Sequence, residues 1–177
     1  GCVWCRTPGA PALRHVVVGR PTGRTWKEGA GIIALRHRGG DVEVLLVNTR
    51  KPLLGFPKGG RKGRESVLQN GLREWREETG LPPEFLAFYP GFALVDTFFG
   101  THYFLAEWQR EASANEPTEW KPPNEDPTDH DPVLRAQWMP VSEAAKHPKL
   151  IPERRAMLRV ALDLAARERP PQLASER

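Results

Sequence analysis

The sequence predicts an α/β fold in which a mixed β-sheet carries helices on both sides. Two observations favour this class: β-rich runs and helical patterns alternate without strict strand-helix units, and two segments have apolar residues at helical spacing. A chain of 177 residues is long enough for one domain with a full core. We therefore expect one folded domain, without the regular alternation of a doubly wound parallel sheet.

The first half of the chain predicts an arm, a hairpin, a loop and a helix. Residues 1–25 are expected to form an N-terminal arm, in which the run HVVVG indicates a peripheral strand at most. From Trp26 onward, GAGIIALRH and DVEVLLVNT predict two strands joined as a hairpin by RGG. The Gly- and Pro-rich KPLLGFPKGG predicts a loop, and the helix that follows runs from Ser66 to Thr79 and is closed by Gly80.

The second half predicts more strands and two further helices. FLAFYPGFALVDTFF and THYFLAEW are strand-like, with Gly100 in a turn between them. Residues 111–132 contain five prolines and seven acidic residues without an apolar period, so we expect a long loop or lid. VLRAQWMPV predicts a last strand, SEAAKH a short helix opening at its serine, and PERRAMLRVALDLAARER a helix stopped by Pro170 and Pro171. The domain is expected to span residues 26–168, followed by a tail of residues 169–177.

Charge and cysteine content restrict the class of protein only weakly. The net charge of +4 suits a polyanionic substrate or a nucleic-acid surface without requiring either. No apolar run reaches the roughly 20 residues needed to cross a bilayer, so no membrane partner is expected. The only cysteines, Cys2 and Cys5, fit ordinary thiols of a reducing compartment better than a zinc site. We expect a cytoplasmic protein.

Three glutamates lie on one face of the first predicted helix. Glu74, Glu77 and Glu78 are spaced i, i+3 and i+4, so their carboxylates share one side of the helix. Arg73 lies four residues before Glu77 and eight after Glu65, where it can brace these acids. Clustered carboxylates suit Mg²⁺ or Mn²⁺, and magnesium takes its remaining ligands from water and from substrate phosphates.

The loop before this helix is strongly basic. It holds six cations in fifteen positions, namely Arg50, Lys51, Lys58, Arg61, Lys62 and Arg64. Such side chains can clamp phosphate oxygens, and the glycines among them let the backbone approach a phosphate or a metal closely. The segment therefore predicts metal-dependent phosphate chemistry in which acids hold the metal, cations hold the substrate, and a carboxylate takes a proton from water.

The same segment resembles the Nudix box, G-x5-E-x7-R-E-U-x-E-E-x-G-U, where U is an apolar residue. Its nine fixed positions, spread over 23 residues, are met by Gly59, Glu65, Arg73, Glu74, Trp75, Glu77, Glu78, Gly80 and Leu81. The order of strands and helices from about Trp26 to Arg167 is also similar to that of the family, though far less specifically. The chain thus resembles the Nudix hydrolases.

This resemblance implies a Nudix-type α/β/α sandwich with a mixed β-sheet, and a pyrophosphohydrolase dependent on Mg²⁺ or Mn²⁺. The bond cleaved would lie in a nucleoside diphosphate linked to another moiety. The implied metal ligands are Glu74, Glu77, Glu78 and the carbonyl oxygen of Gly59. One of these glutamates or a distant acid would be the catalytic base, while Glu65 and Arg73 would orient the helix.

Two departures from the family pattern occur in the box, and neither removes a catalytic group. Arg64 stands where the family often has glycine, and Asn70 and Gly71 stand where small residues usually precede the Arg-Glu pair. A mid-helix glycine costs about 1 kcal/mol relative to alanine. We therefore interpret Gly71 as a site of close packing, and activity is still expected.

The substrate class is read from the residues around the box. GFPKGG resembles the lead-in of Nudix hydrolases that act on dinucleoside polyphosphates or diphosphoinositol polyphosphates, which are the favoured substrates. mRNA decapping, with capped RNA as the partner, is the alternative. A Nudix fold retained as an RNA- or protein-binding module is a third hypothesis, against which the intact glutamates argue. Oxidised nucleotides, ADP-ribose and NADH complete the candidate substrates.

Residues outside the box are nominated for substrate contacts and for the base. Arg50, Lys58 and Arg61 are the predicted phosphate contacts, and Phe56 and Trp120 are candidates for stacking on a nucleobase, Trp120 being the better one. A base within the 111–132 loop would be one of its acids, nominated as Glu116, Glu119, Glu125 and Asp126, although a solvated loop is the simpler interpretation. Monomer and dimer both remain open.

Overall fold

The computed structural model describes residues 13–20, 28–48, 51–123 and 132–168, together with the backbone of residues 172–173. Its strands are β1 (Arg14–Val18), β2 (Gly29–Arg38), β3 (Asp41–Asn48), β4 (Leu54–Gly55), β5 (Lys58–Gly60), β6 (Leu86–Phe88), β7 (Phe92–Asp96), β8 (Thr101–Trp108), β9 (Glu119–Trp120), β10 (Arg135–Pro140) and β11 (Gln172–Leu173). Its helices are α1 (Val67–Thr79), α2 (Val141–Ala144) and α3 (Pro152–Arg167), with a short 3-10 turn at Pro83–Phe85.

These strands form one mixed sheet. The main path runs in the order β1-β7-β8-β2-β3-β10-β9, and the short strands β4, β5, β6 and β11 pair beside it. β1 is parallel to β7 and β2 is parallel to β8, whereas β2 and β3 form an antiparallel hairpin. Gly39 and Gly40 have φ values of +57° and +88° at the hairpin turn, as a tight turn with two left-handed residues requires. The predicted hairpin at RGG is confirmed.

The helices cover both faces of the sheet. On one face α1 buries Trp75 against Ile32 of β2 and Trp108 of β8. On the other face α3 buries Met157 in a cluster that includes Tyr103 of β8. Because the sheet separates two apolar clusters, each covered by a helix, the architecture is the α/β/α sandwich that the sequence predicted.

Several elements differ from their predicted form. Gly91, with φ of +84°, breaks the predicted FLAFYPGFALVDTFF strand into β6 and β7. The predicted loop of residues 111–132 contains β9, which pairs with β10. α2 begins at Val141 with Pro140 at its N-cap, so Ser142 does not cap it as expected. The run HVVVG in the predicted N-terminal arm, by contrast, forms β1 at the edge of the sheet, as the expected peripheral strand.

Two predictions concern segments outside the described residues: the thiols at Cys2 and Cys5, and the helix stop at Pro170 and Pro171. Within the described part of the chain, no helix has both the length and the apolar character that a membrane span requires.

Candidate active site

Both ends of α1 are fixed by local hydrogen bonds. At its start the Ser66 hydroxyl accepts from the Gln69 backbone N–H at 3.1 Å, and the Gln69 side chain accepts from the Ser66 N–H at 2.8 Å, which is a capping box. At its end Gly80 has φ of +70° and donates its N–H to the Arg76 carbonyl at 2.9 Å. The predicted helix and both of its boundaries are confirmed, so its acidic face has a defined position.

Strand β5 lies directly against this acidic face. The Lys58 backbone N–H donates to Glu78 Oε2 at 2.9 Å. A β-carbon at Gly59 would lie 2.2 Å from Cδ of Glu74, so no side chain fits between β5 and that carboxylate. The Asn70 amide donates to the Gly59 and Gly60 carbonyls at 3.3 Å each. Hydrogen bonds to Glu78 and from Asn70 therefore hold the β5 backbone against the carboxylates of α1.

Arg73 connects the acids of the site to one another. It binds Glu65 with two hydrogen bonds, Nε to Oε2 at 3.1 Å and Nη2 to Oε1 at 2.8 Å. Its Nη1 donates to Glu74 Oε1 at 2.6 Å and to Glu77 Oε2 at 2.9 Å. Nη2 also donates to the Gly60 carbonyl at 2.8 Å. The bracing of Glu65 and Glu77 predicted from spacing is present, and it extends to Glu74 and to β5.

The ionisation of these groups follows from their contacts. The hydrogen bond from Arg73 is the main cause that holds the pKa of Glu65 below its usual value. Burial opposes the charge of Arg73, but hydrogen bonds and charge from Glu65, Glu74 and Glu77 outweigh it and raise the pKa of Arg73. Burial raises the pKa of Glu74, although Arg73 opposes this. The ionised form of Glu74 would therefore gain from additional positive charge nearby.

The carboxylates fit a divalent cation in chemistry and in part in position. Glu74 and Glu77 already share one cationic nitrogen, Arg73 Nη1, so an oxygen of each approaches the same point of positive charge. The Gly59 backbone lies against the Glu74 carboxylate. Among the described residues, however, no three or more Asp, Glu, His or Cys side chains are gathered as a ready metal site.

The cations predicted to bind phosphate differ in their surroundings. Lys58 lies beside Glu78, and Lys62 Nζ is 3.6 Å from Glu77 Oε1. Arg61 donates through Nε to the Glu65 carbonyl at 2.7 Å, so it braces the loop as well. Lys51 and Arg64 are exposed. Arg50 lies outside the described residues.

The nominated aromatic residues both make packing or hydrogen-bond contacts within the fold. Phe56 is 1% exposed and packs edge-on against Tyr103, with ring centroids 5.4 Å apart. Trp120 is half-buried, packs on the α1 side of the sheet and donates Nε1–H to the Thr79 carbonyl at 2.7 Å. These positions support structural roles, since Phe56 contributes to the core and Trp120 ties its loop to the end of α1.

The nominated loop acids that the structure describes pair with arginines outside the box. Glu116 Oε2 lies 3.6 Å from Arg36 Nη1, and Glu119 pairs with Arg135. Arg36 is five residues along β2 from Gly31, the partner of Lys58 in β5, which is about 16 Å in a strand. Glu125 and Asp126 lie outside the described residues. Among the candidates for the base, Glu74 and Glu78 of α1 contact β5.

The sequence interpretation missed Asn70, Asp96 and Arg154. Asn70 was noted only as a departure from the family pattern, although its position one turn before Glu74 could have indicated a contact with β5. Asp96 is 5% exposed, and its Oδ1 accepts the Phe98 N–H at 2.8 Å; burial raises the pKa of its carboxyl group. Burial, and then the charge of Arg154, lower the pKa of Lys58. No local sequence pattern connects Lys58, Asp96 and Arg154, because they meet only in the folded chain.

Comparison with known proteins agrees with this geometry. The sequence model of the NUDIX domain matches residues 25–160. The fold is similar to the Ap4A hydrolase of C. elegans in a binary complex, with a TM-score of 0.61 and 21% identity over 78% of this chain and 98% of that one. It is also similar to the NUDIX domain of Shewanella oneidensis NrtR complexed with ADP ribose, with a TM-score of 0.54 and 16% identity over 81% and 89% of the two chains.

A third similar structure is the Nudix hydrolase RenU of M. smegmatis, with a TM-score of 0.51 and 17% identity over 79% of this chain and 86% of that one. No curated protein matches the sequence. The sandwich, together with a helix that carries the complete box, defines a hydrolase of pyrophosphate bonds. The chain belongs to the Nudix family, as the domain match over most of its length shows.

Proposed function

We propose that the protein uses Mg²⁺ or Mn²⁺ to cleave a pyrophosphate bond in a dinucleoside polyphosphate or a diphosphoinositol polyphosphate. The observation that carries the proposal is the contact between β5 and α1. The side chain of Lys58 is a cation that suits phosphate, and its backbone N–H donates a hydrogen bond to Glu78. The next residue, Gly59, lies against the Glu74 carboxylate. Phosphate-binding and metal-binding groups therefore adjoin on two elements that hold each other in place.

Glu74, Glu77, Glu78 and the Gly59 carbonyl would hold the metal. A bound divalent ion would polarise a phosphoryl group and lower the pKa of a bound water. Arg73 keeps Glu74 and Glu77 close together, and Glu65 fixes the orientation of Arg73. A glutamate of α1 would accept the proton of the attacking water, because Glu74 and Glu78 contact the β5 backbone directly.

The substrate assignment draws on charge and on structural likeness. Lys58, Arg61 and Lys62 concentrate positive charge around β5 and the loop that follows it, as a chain of several phosphates requires. One similar structure is an Ap4A hydrolase, which supports a dinucleoside polyphosphate. Another holds ADP ribose, so that substrate belongs in any test panel. The proposed unit is residues 26–168, together with β1.

The decisive experiment is product analysis with Mg²⁺ or Mn²⁺ on diadenosine polyphosphates, diphosphoinositol polyphosphates, capped RNA, ADP-ribose and oxidised nucleotides. Glu77→Gln and Glu78→Gln are expected to lower the rate by at least about a hundredfold, because each removes a charge that would hold the metal. Glutamine can still accept the Lys58 N–H, so folding should persist. Glu143→Gln, at an exposed glutamate of α2, is the matched control.

Mn²⁺ affinity, followed by electron paramagnetic resonance, provides a readout that does not depend on substrate. Weaker Mn²⁺ binding in Glu77→Gln but not in Glu143→Gln would support the metal site. A folded Glu77→Gln/Glu78→Gln double variant with full activity would refute it. Cleavage of capped RNA in preference to the small polyphosphates would establish the decapping alternative. Metal binding without turnover of any substrate would favour a binding module.

A further inference from the structure

A second group of charged residues adjoins β5 on the α3 side of the sheet. Lys58 comes from β5, Asp96 from the end of β7, Phe99 from the following turn and Arg154 from the first turn of α3. The Lys58 ammonium lies 5.7 Å from the centre of the Phe99 ring, and the Arg154 guanidinium lies 5.6 Å from it. One aromatic ring therefore stabilises two cations at the same place.

Arg154 is held in position by the backbone of β4. Its Nη1 donates to the Leu54 carbonyl at 2.5 Å, one hundred residues earlier in the chain. A β-carbon at Gly55 would lie 3.1 Å from Cζ and Nη1 of Arg154, so the glycine leaves room for the guanidinium against the strand. These contacts fix the planar group in one orientation beside the site.

One donor of this guanidinium has no protein partner. Arg154 Nε is buried and makes no hydrogen bond within the described part of the chain. Buried donors are nearly always paired, so this N–H is open to an acceptor that the described residues do not supply, either a water or a ligand. Asp96 does not supply it, because Asp96 Oδ1 is directed to the N–H groups of Phe98 and Phe99 at 2.8 and 3.4 Å.

Lys58 and Arg154 also repel each other, because both cations lie beside the Phe99 ring. An anion bound between them would relieve this repulsion. Three carboxylates, those of Glu78, Asp96 and Glu74, attract Lys58.

We infer that Arg154, together with Lys58, binds the phosphate chain of the substrate beyond the phosphates at the α1 carboxylates. Arg154 thereby selects substrates with three or more phosphates. The inference rests on the proposed function and deepens it. A guanidinium suits this role because its planar donors match phosphate oxygens, and Phe99 and Gly55 already fix its plane.

The test measures binding of inorganic tripolyphosphate and pyrophosphate by titration calorimetry, without added metal or nucleotide. The quantity of interest is the ratio of the two affinities. We expect Arg154→Gln to lower the preference for tripolyphosphate about tenfold, the effect of losing a charge-assisted contact. Arg159→Gln, the same change at an exposed position of α3, is expected to leave it within about twofold. An unchanged ratio in Arg154→Gln would overturn the inference.

A second measurement covers the case in which Arg154→Gln does not fold. The NMR signal of the Arg154 Nε–H can be assigned in the wild-type protein by its absence from Arg154→Lys. It should shift on titration with tripolyphosphate, since the proposed acceptor forms a bond to this hydrogen; a signal that stays in place at saturation would refute the contact.

These results are separable from those for the reaction itself. Absence of hydrolysis with intact tripolyphosphate binding through Arg154 would reject the proposed function and keep the anion site. Hydrolysis of polyphosphates with no effect of Arg154→Gln on the affinity ratio would keep the function and reject the role of Arg154.

Discussion

At the scale of single residues, the site depends on the lack of a side chain at position 59. Gly59 and Gly60 are neighbours in the same short strand, yet their surroundings differ. A β-carbon on Gly59 would overlap the Glu74 carboxylate, whereas one on Gly60 would meet nothing within 4 Å. The two positions therefore allow a matched comparison within one strand.

Gly59→Ala is expected to reduce kcat/KM by about a hundredfold, because displacement of a catalytic group by about 1 Å has effects of that size. Mn²⁺ affinity should fall with it, since Glu74 must move. Gly60→Ala is the control and should keep both values within about twofold. Equal loss of activity in the two variants would show that the strand, and not the contact with Glu74, sets the requirement for glycine.

Residue contacts could be predicted where helix spacing determines them. Arg73 was expected to brace Glu65 and Glu77 because of its offsets, and it does so. Phe56 was nominated for a contact with the substrate, and the fold buries it. Phe56 lies between β4 and β5, which have only two and three residues. Strands this short show no alternation of apolar and polar residues from which an inward face could be predicted.

At the scale of elements, β1 and β8 bring two histidines together. The rings of His15 and His102 lie 5.5 Å apart in an edge-on arrangement. His102 Nδ1 is buried without a hydrogen-bond partner among the described residues. Burial, and then the charge of His15, lower the pKa of His102, while Glu28 opposes the change. The folded protein therefore binds a proton at His102 less readily than the unfolded chain does.

Stability should decrease as the pH falls through 6.5, the ordinary pKa of histidine, towards the lower folded value. The unfolded chain takes up the proton first over this range, which favours unfolding. His102→Gln should flatten this dependence in urea unfolding measured above and below pH 6.5. His37→Gln, whose histidine side chain is 64% exposed, serves as the control. The same pH dependence in His102→Gln and wild type would contradict this account.

Elements differ in how far the sequence predicted them. The span of α1 was predicted with Gly80 as its end, and the structure adds a capping box formed by Ser66 and Gln69 at its start. β9 was not predicted, because its two residues pair with β10 only after the chain has returned to the sheet. Ser142 suggested the wrong start for α2, since a serine is a common cap and Pro140 also fits just before a helix.

At the scale of the whole molecule, the sheet extends beyond the segment that matches the NUDIX domain. That match begins at residue 25, but β1 comes earlier and pairs with β7 through five residues. Val18 is 8% exposed in the apolar cluster under α3, and Val16 packs against the same cluster. Arg14 also pairs with Glu168 just after α3. The first strand thus contributes to the core that supports the site.

A chain that begins at residue 21 should be less stable by about 2–4 kcal/mol, because two valines leave the core and β7 loses one of its two strand partners. The free energy of unfolding in urea measures this loss. A chain that begins at residue 13 keeps β1 and is the control. Equal stability of the two shortened chains would show that β1 adds nothing to the domain.

The order of strands in the sheet was the part of the fold that the sequence could not supply. Periodicity in THYFLAEW indicates a strand, but its parallel pairing with β2 depends on contacts seventy residues apart. Such pairings follow from how the whole core closes. The class of fold was nevertheless predictable, because the box, the hairpin and the last helix each carry local signals.

The contact between Gly59 and Glu74 also limits which substitutions this sequence can accept during evolution. A side chain at position 59 would occupy the space that the Glu74 carboxylate fills. A mutation that adds a methyl group at position 59 therefore survives in a working enzyme only with a shorter acid at position 74. Such an acid would in turn lose reach towards Arg73. Neither position can vary alone, and divergence among descendants of this chain should instead accumulate at positions such as 60, where space is open.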